Sequence, residues 1–332
     1  MRRSSLLLAA LLVMAACGTA DTGGETTTSV ENTTTTEAPE TTTTTAPPTT
    51  STTGEPGFPV TVETDAGPVT IEETPDSIVS LSPVATEILF AIGAGDQVVA
   101  VDDQSNYPEE APMTDLSGFT PNVEAILSRE PDLVFIAFDP GDLAASLEAA
   151  DVPVVTFDAA VTLDDTYHQI EATGAATGNV EQARQVSQSI RNDFEEIVSG
   201  APQVDDGTTY FHEIDATLYT VTSSTYFGQI YSMFGLENVA DPADEDGSAA
   251  GYPQLSSEFV VASDPDLIFL ADAQFGESAE TVAERPGWGV LTAVQEGHVY
   301  ELDSDLASRW GPRVVDFARS ISDALEDYTA GS

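Results

Sequence analysis

An α/β fold of two similar lobes is predicted by three features: a duplicated helix-to-strand unit, a strand–helix–strand series ahead of its first copy, and a long amphipathic helix between the copies. The unit VEAILSREPDLVFIA, Val123 to Ala137, recurs as SEFVVASDPDLIFLA, Ser257 to Ala271, with Glu, Pro-Asp-Leu, Phe and Ala in the same places. In each copy Pro131 or Pro265 stops a short helix, because proline disfavours helical backbone in the residue before it. The apolar run that follows has the composition of a strand buried on both faces.

The other elements follow in order. Val60 to Glu63 and Val69 to Glu72, joined through Asp65-Ala66-Gly67, read as a β-hairpin. A strand at Ile78 to Leu81, a helix from about Val84 to Ile92 and a strand at Val98 to Val101 come next, an order that implies parallel pairing. Ser82 and Pro83 suit the cap and first position of that helix, and Gly93-Ala94-Gly95 reads as its stop, since it follows a helix and lacks the third glycine of a dinucleotide loop. Between the copies, Leu163 to Thr177 has no strand character. Val180, Ala183, Val186, Ile190, Phe194 and Ile197 then recur at spacings of three and four, which predicts one apolar helical face about 27 Å long. Asn179 with Gln182 resembles a capping box at its start. Such a helix acts as a strut between lobes.

The N-terminal seventeen residues have the layout of a secretory signal: Arg2 and Arg3, an uncharged run from Leu6 to Ala16, then Cys17. That run is too short to span a bilayer. Cys17 is the only cysteine of 332 residues, so disulfides and cysteine-based metal or redox sites are excluded. Residues 18 to 57 hold 18 threonines in 40 positions and almost nothing that could form a core, as in a disordered stalk. A coil of that length averages about 35 Å end to end and reaches about 130 Å when extended. The expected domains are therefore a signal at 1–17, a linker at 18–57, an N-terminal lobe at 58–162, a helical connector at 163–200 and a C-terminal lobe at 201–332.

Without the signal, 7 arginines face 57 acids, a formal charge of -50, and there is no lysine. Such a surface repels nucleic acid and anionic lipid, which excludes both as partners held by charge. Solubility or adaptation to salt accounts for the acidity. Catalysis is not expected either. No G-x-S-x-G elbow surrounds Ser82, and His168, His212 and His298 are scattered, which also disfavours a bare metal site. Asp241 to Gly247 fails calcium-loop spacing, because Pro242 and Pro253 fall at ligand positions, and reads as a solvated acidic loop.

From Val69 to Leu325 the chain resembles the solute-binding receptors of ABC importers for metal chelates: vitamin B12, ferric siderophores and haem. The resemblance rests on SIVSLSPVATEILFAIG (Ser77 to Gly93), SNYP (Ser105 to Pro108), the two PDL repeats, YPQLSSE (Tyr252 to Glu258), RPGW (Arg285 to Trp288) and SDLASRWGPR (Ser304 to Arg313). The ending Met-Ala-Ala-Cys at Cys17 resembles a lipobox, implying a diacylglyceryl anchor on the outer face of the cell membrane. The family's fold is two Rossmann-like lobes joined by a single long α-helix, the helical-backbone, class III type of periplasmic binding protein. The resemblance implies a monomer that carries no resident cofactor, captures a metal chelate, most closely a corrinoid, and hands it to the permease dimer. A ferric-siderophore or haem receptor is the alternative; an extracellular hydrolase or an adhesion module fits less well. Glu124 and Glu258, at equivalent places in the repeats, match the family's permease-docking glutamates. Gln104, Tyr107, Phe119, Phe138, Tyr252, Asp305, Arg309 and Trp310 fall at or near ligand-contacting positions of vitamin B12 receptors. The aromatics also suit core or loop packing, and Asp305 with Arg309 also fits an i,i+4 ion pair.

Overall fold

A computed structural model describes residues 57–331. Cys17, the signal segment and all but the last residue of the linker lie outside the described residues. In chain order the elements are β1 (Val60–Thr64), β2 (Gly67–Ile71), β3 (Ile78–Leu81), α1 (Pro83–Ala91), β4 (Val98–Asp102), β5 (Met113–Leu116), α2 (Val123–Leu127), β6 (Leu133–Ile136), α3 (Leu143–Glu148), β7 (Val154–Thr156), α4 (Leu163–Thr177), α5 (Val180–Gly200), β8 (Thr209–Glu213), α6 (Tyr226–Met233), β9 (Glu237–Asn238), α7 (Ser257–Ser263), β10 (Leu267–Leu270), α8 (Ala279–Glu284), α9 (Thr292–Glu296), β11 (Val299–Glu301) and α10 (Val314–Gly331).

The strands form a β1–β2 hairpin and two parallel sheets, one per lobe, in the orders β5-β4-β3-β6-β7 and β11-β10-β8-β9. The central strands β3, β6 and β10 are buried at every residue, as their unbroken apolar sequences require. Both copies of the duplicated unit are helix followed by strand, α2–β6 and α7–β10. Their shared Pro-Asp-Leu has a shared use. The Asp132 carboxylate accepts from the Asp76 and Ser77 amides at 3.0 Å, and Asp266 accepts from the Thr209 amide at 2.7 Å and its hydroxyl at 2.8 Å. Each aspartate thus ties the start of its own strand to the start of the neighbouring central strand.

Helix α1 starts as its sequence dictates, with Ser82 Oγ accepting from the Ala85 amide at 3.3 Å and Pro83 inside the first turn. It stops at Gly93, whose φ of +81° costs a residue without Cβ little; the Gly93 and Ala94 amides close on the Phe90 and Leu89 carbonyls. The expected capping box at Asn179 does not form. The Asn179 amide nitrogen donates instead to Thr177 Oγ1 at 3.1 Å and Gln97 Oε1 at 3.3 Å, leaving α5 without a side-chain cap. The capping box lies at the start of α4, between Thr162 and Asp165.

Helix α5 has 21 residues, about 31 Å, and buries Ala183, Ser187, Ile190 and Phe194. It lies between α4 and α10. One apolar core runs from Ile78 and Ile88 of the N-terminal lobe through Ile170, Ile190 and Phe194 to Phe269 and Phe317 of the C-terminal lobe. Separate clusters cover the opposite sheet faces, under α2 and α3 in one lobe and under α7, α8 and α9 in the other. The strut is therefore part of a packed waist, and bending it would disturb close-packed side chains.

Candidate ligand-binding cleft

In parallel α/β sheets the crevice lies beyond the carboxyl ends of the strands. Here those ends face each other across the lobes. Asn106, following β4, donates to Asp305 Oδ2, following β11, at 2.9 Å, and Gln229 of α6 donates to the Val161 carbonyl, following β7, at 2.8 Å.

Five of the eight sequence-predicted ligand residues meet on the floor of this cleft. Arg309 donates to Glu87 Oε1 at 2.8 Å, to Asp305 Oδ1 at 2.8 Å and to the Gln104 carbonyl at 3.1 Å. Arg313 donates to the same Glu87 carboxylate at 2.6 and 3.0 Å and lies over the Tyr107 ring at 4.1 Å. Trp310 packs against the shared core, and its buried indole nitrogen has no partner. The Asp305–Arg309 pair forms at i,i+4 as its spacing allows, on an irregular turn and not on a helix. Glu87, with 1% of its side chain exposed, is the centre of this clasp. Sequence reading missed it, although a carboxylate on the buried face of an apolar helix is itself a signal, since such a charge persists only when paired.

The remaining three are exposed aromatics on loops. Phe119 and Phe138 form a tilted pair with centroids 5.5 Å apart, on the loops entering α2 and α3. Gly118 is needed there: a Cβ at that position would stand 2.6 Å from the Leu81 carbonyl oxygen. Tyr252 stands on the loop entering α7. A pocket of about 420 Å³ at the waist, lined among others by Tyr167, Arg191, Tyr226 and Met233, contains none of the eight.

Both copies open on a side-chain cap: Asn122 Oδ1 accepts from the Ala125 amide at 3.0 Å and Ser256 Oγ from the Phe259 amide at 3.1 Å. Glu124 and Glu258 follow two residues on, both exposed and neither carboxylate with a hydrogen-bond or ion-pair partner. Both helices lie on the sheet faces turned away from the shared core.

The acidic loop after β9 spends its carboxylates on backbone. Asp241 accepts from the Ser223 amide and Asp244 from the Ala249 and Gly251 amides. Among the described residues no group of three or more His, Cys, Asp or Glu is placed to hold a metal ion, and no helix is long and apolar enough to cross a membrane. His212 is buried against the Tyr231 hydroxyl at 2.9 Å, and burial pushes its pKa down to about 4.

A second ionic cluster sits at the carboxyl ends of β8 and β10. Arg285 donates to both oxygens of buried Glu213 and to Glu277 at 2.6 Å. Asp272 adjoins them with Oδ1 buried and unpartnered. Burial, reinforced by Glu213, raises its pKa from 3.8 to about 7. In the unfolded chain this carboxyl ionises near 3.8, as an ordinary aspartate does, so between about pH 4 and 7 the folded protein holds a proton that the unfolded chain releases. Stability attributable to Asp272 therefore falls as pH rises through that window. Asp272→Asn should raise stability near pH 7.5 by about 1 to 2 kcal/mol and leave it unchanged near pH 4. Urea unfolding of both proteins at the two pH values measures this, and equal differences at both would refute it.

The chain matches the periplasmic binding protein family over residues 78–306, and it belongs to that family, whose members bind solutes and do not transform them. It is 32% identical over 279 residues to YvrC of Bacillus subtilis (strain 168), an uncharacterised ABC transporter substrate-binding lipoprotein, covering 81% of this chain and 86% of that one. A cobalamin-binding protein of Halobacterium salinarum (strain R1) is 28% identical over 284 residues, covering 82% of this chain and 75% of the other. The crystal structure of the periplasmic vitamin B12 binding protein of Vibrio cholerae superposes with a TM-score of 0.61 at 27% identity, covering 77% of this chain and 98% of that one.

Proposed function

We propose that this chain is the extracytoplasmic solute-binding receptor of an ABC importer, that its cleft takes a nearly neutral metal chelate of the corrinoid type, and that Cys17 carries a lipid anchor. The observation that carries the ligand class is the state of the cleft cations. Arg309 and Arg313 are committed to Glu87 and Asp305, and Arg285 to Glu213 and Glu277. Arg129 follows α2 at the opposite end of the sheet from the cleft, and Arg184, Arg191 and Arg319 lie on α5 and α10. A catecholate siderophore or the propionates of haem would find no free counter-charge in the cleft among the described residues, whereas a large amide-fringed macrocycle needs aromatic faces and a few polar anchors. Phe119, Phe138, Tyr252 and Tyr107 supply the faces; Gln104, Asp305 and the clasp supply the anchors. The names borne by the cobalamin-binding and vitamin B12 binding relatives support the same ligand class.

No resident cofactor is needed, since any metal arrives inside the ligand. A lipid anchor at Cys17 would keep the receptor close to its permease, raising the effective concentration of the pair. Tryptophan fluorescence of the mature chain, reporting Trp288 and Trp310, tests the ligand. Saturable quenching by cyanocobalamin with none by haemin or a ferric siderophore is expected. Quenching by a siderophore or haemin alone would replace the corrinoid, and no response to any of them would overturn the receptor reading.

A further inference from the structure

We infer that Phe275 is a further ligand-contacting residue, a fifth aromatic face of the cleft beside Phe119, Phe138, Tyr252 and Tyr107, and the counterpart in the C-terminal lobe of Phe138; this rests on the receptor reading above. Phe275 lies on the loop between β10 and α8 and is 79% exposed, more than Phe119 (57%), Tyr252 (46%) or Phe138 (40%). It makes no contact with another aromatic ring. The duplication gives that exposure a meaning. Phe119 and Tyr252 stand on the loops that lead into the equivalent helices α2 and α7. Phe138 stands on the loop that leaves β6, and Phe275 on the loop that leaves the equivalent strand β10. Each lobe thus presents a matched pair of aromatics at equivalent loops, at the carboxyl ends of its strands, where the lobes face each other; Tyr107 is additional in the N-terminal lobe.

The loop is also held. The Phe275 amide donates to the Asp272 carbonyl at 2.8 Å, Asp272 is buried, and Glu277, two residues beyond the ring, is fixed by Arg285. An apolar ring presented to water by an anchored loop loses little freedom on binding, so burying it against the apolar face of a macrocycle is nearly all gain.

The experiment titrates cyanocobalamin, haemin and ferrichrome into the mature chain and into Phe275→Ala and Phe275→Tyr. For whichever chelate the unsubstituted protein binds, Phe275→Ala should bind about tenfold more weakly and Phe275→Tyr within about threefold. Thermal stability should change little, because the residue is 79% exposed. Equal affinity of Phe275→Ala and the parent overturns the assignment while leaving the receptor reading intact. Equal affinity with lost uptake would also overturn it, moving the ring to the permease contact. If the parent binds none of the three, the receptor reading fails and the assignment falls with it.

Discussion

Glu87→Ala should lower the melting temperature by about 6 to 10 °C and loosen the relation between the lobes. Removing one member of a buried ion pair typically costs about 3 to 5 kcal/mol, because the partner is left buried and uncompensated. Here the cost should fall near the lower figure. Arg309 retains Asp305 and the Gln104 carbonyl, and Arg313 retains the Tyr107 face and some access to solvent. About 3 kcal/mol corresponds to the stated shift for a folded part of this size. The functional consequence follows from connectivity. Glu87 belongs to α1 of the N-terminal lobe, whereas Arg309 and Arg313 follow the last strand of the C-terminal lobe, so the clasp crosses the cleft floor. The shared core braces the waist behind it, and together they favour a preformed cleft with modest closure. A companion variant, Glu87→Leu with Arg309→Met, removes the two most buried charges of the clasp, leaving Arg313 and Asp305, and should recover part of the loss. Melting of Glu87→Ala within about 2 °C of the parent would mean that the clasp is not a structural brace.

Much of this architecture was legible because the duplicated units encode it twice. Two copies of Pro-Asp-Leu locate two helix stops and two central strands, and α5 declared itself through its apolar stripe. What the repeat could not show was why the aspartate recurs: its partners, the Ser77 and Thr209 amides, are 55 and 57 residues away. Strand β8 escaped because Tyr210 to Glu213 are buried with a histidine and a glutamate among them, and the polar residues that erase its apolar pattern are satisfied by Tyr231 and Arg285. Asn179 looked like a cap, but nearby groups competed successfully for its side chain. Phe275 was hidden by register. At the repeat offset Phe138 falls opposite Asp272, and only the structure shows the longer loop carrying its aromatic three residues later.

Reversing Glu124 and Glu258 together to arginine should abolish uptake, by more than about 100-fold, while ligand affinity stays within about twofold. Charge alone does not single these residues out, since 57 acids cover the chain. Their positions do. Each stands at the second position of the helix opening a copy of the duplicated unit, exposed and with its carboxylate unpartnered. A two-fold permease needs two equivalent contacts, and a duplicated receptor supplies one per lobe. Opposing arginines would turn each contact repulsive, whereas alanines would remove only the attraction, so the double alanine variant should retain part of the uptake. Placing a cation near a helix N-terminus costs about 0.3 to 1 kcal/mol per helix, too little to unfold the receptor. Uptake by cells and affinity of the purified protein should therefore separate cleanly. Parallel loss of both would mean that the glutamates serve the cleft, and undiminished uptake would mean that the permease grips another surface.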